Sequence, residues 1–128
     1  MRKLGIKEGW RMALLNKPEG FESLIEPLPD GVQVKERLGS ELDFVLLFTT
    51  RAADLERRFP QVTRWLQPAG SFWVAWPKRA SRVPTDLTEN TVRDIALANR
   101  MVDNKVCAID DVWSGLRLVV RLADRESW

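Results

Sequence analysis

The chain of 128 residues contains no histidine, no tyrosine and a single cysteine, Cys107. Each absence removes a class of chemistry. Without histidine there is no Ser-His-Asp triad, no Cys-His pair and no imidazole metal ligand. One cysteine permits neither an intramolecular disulfide nor a structural thiolate zinc site, so no metal is expected and a reducing cytoplasm is the natural setting. General acid–base work, if the protein does any, falls to Asp, Glu, Lys or an activated water. Long apolar runs are also lacking. No stretch approaches the ~20 residues of a membrane span, so no membrane partner is expected. The start, "MRKLGIKEGW", has basic residues but no apolar segment behind them, which is not the pattern of a secretory signal. Charge of one sign is lacking too: 20 Lys and Arg face 18 Asp and Glu, a net charge of +2. That balance argues against nucleic acid as a partner. Residues 51–100 nevertheless hold nine Lys/Arg against five Asp/Glu, so a local basic face is open beside the simpler reading of a solvated surface.

What is present bounds the architecture. The length suits one domain over residues 1–128, burying roughly two thirds of its unfolded surface. "RMALLN" (11–16) is continuously apolar at its centre and reads as a strand covered on both faces. Pro18 sits where a first helical turn would begin. "EGFESLIEPL" then places Phe21, Leu24, Ile25 and Leu28 at helical spacing, closed by Pro27, Pro29 and Gly31. "VQVKERL" (32–38) alternates and reads as a strand near a sheet edge, and "LDFVLLFTT" (42–50) as a buried strand. In "RAADLERRFPQVTRWLQPAG", Leu55, Phe59, Val62 and Leu66 form one stripe, with Pro60 predicted to bend the helix or divide it. "SFWVAW" (71–76) is a further buried strand. Asp86 to Glu89 has capping-box spacing, with Thr88 a competing cap, ahead of the helix "ENTVRDIALAN". "VDNKVCAID" and "LRLVVRL" read as two strands joined by "DVWSG". They are too close for anything but an antiparallel link.

The order β-α-β-β-α-β-α-β-β argues a three-layer, doubly wound, Rossmann-like α/β domain. Its sheet of about six strands is mainly parallel, with an antiparallel C-terminal strand. The step through "RLGSE" (37–41) is too short for a crossover. The second and third strands therefore either pair antiparallel or lie on opposite sides of the first.

The segments "GWRMALLNKPEG", "LDFVLLF" and "LQPAGSFWVAWPK" resemble, in order and spacing, landmarks of class I S-adenosylmethionine-dependent methyltransferases. These are the first strand with its cofactor loop, the fourth strand, and the turn into the fifth. The terminal hairpin resembles that fold's reversed last strand, while a helix and a strand of the usual core are missing after the second strand. "LLNKPEGF", "VAWPKRAS…TDLTE" and "KVCAIDDVWSGLRLVVR" resemble, more closely, a family of short bacterial proteins of unknown function. The methyltransferase resemblance implies a cofactor loop rich in glycine behind an acidic residue. Here Asn16 stands in place of the acid, Lys17 sets a positive charge against a sulfonium, Pro18 removes a backbone donor, and Gly20 is the only glycine. Glu36, at the end of the second strand, matches the acid that binds ribose. The corner is a poor S-adenosylmethionine site on this reading, and no cofactor is expected.

Ligands of open α/β sheets bind at the carboxyl ends of the strands, beside the switch point. That crevice would gather Asn16, Lys17, Glu19, Gly20, Glu36, Thr49, Trp76, Lys78, Arg79, Ser81, Asp110 and Trp113. Lys17, Lys78 and Arg79 with Ser81 suit a phosphate or carboxylate; three cations in a solvated loop also need no ligand. Asp110 and Asp111 could act as acid and base, although adjacent carboxylates in a tight link more often serve the turn, with Gly115 at positive φ. Cys107 reads as a small buried hydrophobe. Trp65 and Trp73 read as core, and Trp76 as a stacking wall. Three functions stay open. The first is a methyltransferase-like domain without methyl transfer, binding a small anionic ligand or a protein partner. The others are an atypical S-adenosylmethionine-dependent methyltransferase and a structural or subunit-interaction domain that dimerises through a sheet edge.

Overall fold

Two runs without a breaker set the centre of the molecule. "LDFVLLF" forms β3 (Leu42–Phe48) and "LQPAGSFWVAWP" forms β4 (Leu66–Pro77). They pair in parallel from Phe44–Ser71 to Phe48–Ala75. On the other side of β3 lies β1 (Arg11–Leu15), and beyond it β2 (Gln33–Lys35), both parallel. β5 (Met101–Ala108) and β6 (Trp113–Val120) form the antiparallel hairpin, with β6 inserted against β4. The sheet order is β2-β1-β3-β4-β6-β5. This computed structural model describes residues 4–128. Among them no helix is long and apolar enough to cross a membrane.

Of the two arrangements open for the short 37–41 link, the second holds: β2 and β3 flank β1 on opposite sides, and the switch point lies beside β1. Alternation along β4 divides the core into two layers. Phe72, Val74 and Trp76 point to one face, where Leu55, Phe59 and Val62 of α2 (Ala52–Trp65) and Val92, Ile95 and Ala96 of α3 (Glu89–Ala98) cover them. Trp73 and Ala75 point to the other, with Phe44, Leu46 and Phe48, under Leu4, Ile109 and Phe21 and Ile25 around α1 (Glu22–Ile25).

Several boundaries differ from expectation for physical reasons. The first helix is only four residues long and Pro18 precedes it; Phe21 and Ile25 are buried while Leu24 faces solvent. β2 is shorter than 32–38 and exposed along its whole length, as befits an edge. Pro60 does not divide α2, which runs as one element from Ala52 to Trp65. Glu56 and Pro60 both lie on the exposed side, where water can serve the carbonyl that proline leaves unbonded. Leu66 is buried but belongs to β4, since helix and strand meet with no loop between them. β4 therefore starts before residue 71, and the last two strands are shifted to 101–108 and 113–120. Trp65 is half-buried against the α2 side, with the Arg64 guanidinium 5.2 Å from its ring centre.

Gly115 does not take a positive φ. It is required for space: a Cβ there would meet Ile109 Cδ1 at 2.7 Å and Trp73 Cε3 at 3.1 Å. Thr88 wins the competition to cap α3, accepting from the Thr91 N–H at 3.2 Å. Asp86 serves the other helix, its Oδ1 accepting from the Ala52 N–H at 2.7 Å at the start of α2.

Candidate functional site

β1 and β3 end side by side, and the chain leaves them in opposite directions. The first ends at Asn16, which holds φ 56°, a left-handed turn that asparagine tolerates better than most residues. β3 ends at Phe48, followed by Thr49, Thr50 and Arg51 leading into α2. Between them opens a cleft of about 590 Å³ lined by Asn16, Phe48, Thr49, Thr50, Arg51, Ala53, Asp54, Arg57 and Trp113. A second hollow, about 240 Å³, lies on the β2 side and shares Asn16; Leu15, Glu36, Arg37, Leu38, Arg58 and Gln61 complete it. Asn16 is thus the partition between two halves of one crevice.

Asp54 organises the larger half. Thr49 Oγ1 donates to its Oδ2 at 2.8 Å, and Arg57 and Arg58 donate to Oδ1 at 2.7 and 3.0 Å. Burial works against its charge, yet the hydrogen bonds from Thr49, Arg57 and Arg58 outweigh that and hold its carboxyl below the usual range. Arg51 makes no side-chain bond among the described residues and is exposed at the mouth of the cleft. The wall is aromatic: Trp113 meets Phe48 edge-on, centroids 5.1 Å apart, and Phe48 meets Phe21 at 4.9 Å.

Lys17 is fully engaged elsewhere. Its Nζ pairs with Glu22 and, at 2.5 Å, with Glu36. These bonds raise the Lys17 pKa, Glu22 contributing first, and the same bond from Lys17 lowers that of Glu22. The Glu36 carboxylate is therefore occupied by a neighbour's ammonium.

Asn16, Thr49 and Trp113 line the larger cleft, and Asn16 and Glu36 the smaller. Glu19 and Gly20 are exposed in the connecting loop, where the Gly20 carbonyl accepts from Ser23 Oγ at 2.7 Å. Lys78, Arg79 and Ser81 are not part of either lining. Ser81 Oγ donates to the Lys78 carbonyl at 2.7 Å in a 3₁₀ turn, and the Lys78 N–H donates to the Val112 carbonyl. Trp76 is buried in the α2-side core and lines neither half of the crevice. Asp110 serves the hairpin: its Oδ1 accepts from the Val112 and Trp113 N–H groups, both at 2.8 Å. Cys107 is only partly buried. The cations lining the larger half are Arg51 and Arg57, and Arg37 and Arg58 line the smaller. Position after a buried strand's carboxyl end marks Arg51 in the sequence, whereas Arg57, inside α2, carries no such mark.

No family model matches the chain, and no curated protein matches it. Solved structures do. An S-adenosylmethionine-dependent methyltransferase from Aquifex aeolicus superposes with a TM-score of 0.71 at 16% identity, over 92% of this chain and 86% of that one. A putative methyltransferase from Thermoplasma acidophilum gives 0.62 at 9%, over 92% and 71%. Magnesium protoporphyrin IX methyltransferase from Synechocystis, solved with S-adenosylmethionine bound, gives 0.61 at 8%, over 91% and 72%. The fold is methyltransferase-like. At these identities the likeness carries the fold alone, and the resemblance to short bacterial proteins rests on the quoted motifs.

Proposed function

We propose that this chain is a methyltransferase-like binding domain that does not transfer methyl groups and takes a small anionic ligand in the crevice at the carboxyl ends of β1 and β3. The observation that carries the reading is the Lys17 bridge to Glu22 and Glu36. A cofactor's ribose hydroxyls would need Glu36 free, and its sulfonium would meet Lys17 in a corner with one glycine. Breaking two ion pairs to admit a cation beside an ammonium is unfavourable on both counts. The larger cleft has the opposite character. Unpaired Arg51, and Arg57 held by Asp54, line it with the Asn16 amide and the Thr50 hydroxyl; Asp54 is the one carboxylate of the lining, while Asp86 bonds the first N–H of α2. An oxyanion would bond Arg51 and compete with Asp54 for Arg57, with any apolar portion against Trp113 and Phe48.

Calorimetry separates this from the methyltransferase reading. S-adenosylmethionine and its demethylated product are expected to give no heat and no thermal stabilisation, whereas succinate or inorganic phosphate binds. Arg51→Ala should weaken anion binding about tenfold, the loss of one charge-assisted contact. Asp54→Asn, which releases Arg57 and Arg58, should tighten it. Stabilisation by S-adenosylmethionine at concentrations near its dissociation constant would reverse the assignment. A protein partner in place of the anion would leave Arg51→Ala without effect on these small ligands.

The Asp54 network also sets a pH dependence. A carboxyl whose folded pKa is depressed contributes stability above its unfolded pKa and loses it as pH falls through the folded value. The native protein should therefore lose stability in acid across the carboxylate range, and Asp54→Asn should show a shallower slope there. At neutral pH that substitution is expected to cost about 1–2 kcal/mol, since two charge-assisted bonds on a partly exposed group are lost. Urea unfolding at a series of pH values reads both.

A further inference from the structure

A second cleft, about 510 Å³, lies at the opposite end of the sheet, where β4 begins. Pro60, Leu66, Pro68 and the ring of Trp128 supply its apolar lining, with Thr63 and Asn99 beside them. Two guanidiniums edge it. The Arg100 guanidinium stands 5.7 Å from the Trp128 ring centre and donates to Ser127 Oγ at 3.0 Å, while that of Arg64 lies over Trp65. Neither pairs with a carboxylate among the described residues.

The ends of α2 and α3 converge here, and arginines at helix C-termini often serve free carbonyls. That duty is already filled. The Leu66 N–H donates to the Val62 carbonyl. Asn99 Nδ2 donates to the Ile95 carbonyl at 2.8 Å. The Asn99 and Arg100 N–H groups donate to Ala96 and Leu97. Both guanidiniums thus keep donors to spare, held beside an apolar slot.

We propose that this cleft is a binding site for a flat aromatic anion of nucleoside-monophosphate type. The ring lies against Trp128 and between Pro60 and Pro68, and the phosphate bridges Arg64 and Arg100. No acidic side chain lines the slot, Arg64 and Arg100 both do, and the Arg100 guanidinium stands beside the Trp128 ring. The volume exceeds what a bare phosphate would fill and accommodates a base and ribose. The site is independent of the crevice at the other end of the strands.

Calorimetric titration of the Arg51→Ala variant, in which anion binding at the crevice is weakened, with AMP, adenosine and inorganic phosphate tests it; the further substitutions are made in the same background. AMP is expected to bind at least about tenfold more tightly than either adenosine or phosphate, since it alone engages ring and cations together. Arg64→Ala and Arg100→Gly should each weaken AMP about tenfold or more. Arg100 holds φ 67°, so glycine removes the charge while relieving the backbone, and the protein stays folded. Trp128→Ala should also weaken AMP. The tight binding of AMP should persist in Arg51→Ala, while the weaker binding of bare anions in the crevice falls. Absence of AMP binding at millimolar concentration overturns the proposal. So does adenosine or phosphate binding as tightly as AMP, or AMP binding that survives both Arg64→Ala and Arg100→Gly.

Discussion

Replacing Phe72 by alanine is expected to lower stability by about 3–5 kcal/mol, enough to bring thermal unfolding down by roughly 10–20 °C. Phe72 is fully buried at the centre of β4, opposite Val45 of β3 and Leu118 of β6. Its ring meets Phe59 of α2 edge-on, centroids 5.0 Å apart and planes at 65°. Hydrogen-bonded strands on both sides hold the backbone at this point, so the cavity cannot close by moving the sheet. Only the covering helices could settle inward, and Leu55 and Val62 of α2 and Val92 and Ile95 of α3 already pack on the same layer. The full cavity cost should therefore be felt. Phe59→Ala should behave alike, and the double variant should cost less than the sum by about 0.5–1.5 kcal/mol, the aromatic pair's own coupling. Urea unfolding of the single and double variants measures it. A loss below ~1 kcal/mol for Phe72→Ala would contradict the placement of this ring between sheet and helices.

The layered sheet was legible because its signal is physical and redundant. Continuous apolar runs of this length at 44–48 and 72–76 suit strands covered on both faces, and the structure buries every residue of Phe44–Phe48 and Phe72–Trp76. The short 37–41 link narrowed the strand order to two arrangements before any coordinates. Boundaries were less legible where two periodicities overlap. Leu66 continues the stripe of Leu55, Phe59 and Val62, yet it opens β4, because no breaker separates helix from strand. At Pro60 the helix continues as one element, since a proline on the solvent side removes one bond where water can replace it.

The site was legible in position and not in chemistry. Asn16, Glu36, Thr49 and Trp113 do border the crevice, as strand ends must. What each charge does depends on distances across the chain that no spacing encodes. Lys17 reads as a free cation in sequence, but it lies 19 residues from Glu36 and bonds it. The exposed Arg51, one cation among many in a basic segment, carries no periodic mark. Surface charges are positioned by the fold rather than by their neighbours, so pairing decides function only after the strands are placed.

Gly70→Ala is expected to cost about 1–3 kcal/mol although it adds a single methyl group. Its φ lies outside the left-handed range, so the requirement is one of space. A Cβ would stand 2.8 Å from the Asp43 carbonyl oxygen, 2.9 Å from Leu66 Cδ1 and 3.1 Å from the Gln67 carbonyl oxygen. The leucine can turn aside, but the two carbonyls belong to β3 and β4 and move only with their strands. Asp43 lies where the β3–β4 register shifts, between Leu42 and Phe44. Its side chain also holds β1, accepting from the Arg11 N–H at 2.9 Å. Displacing it should loosen the start of β1 as well. Hydrogen exchange of the Arg11 and Met12 amides should quicken in the variant beyond what the global loss of stability explains, with the amides of β6 following the global change. This also gives the glycine of "LQPAG" a steric reason: it lets two neighbouring parallel strands close up where one carries an irregularity. If Gly70→Ala unfolds at the native urea midpoint, the strands do not approach this closely, and the glycine in that turn has no packing role.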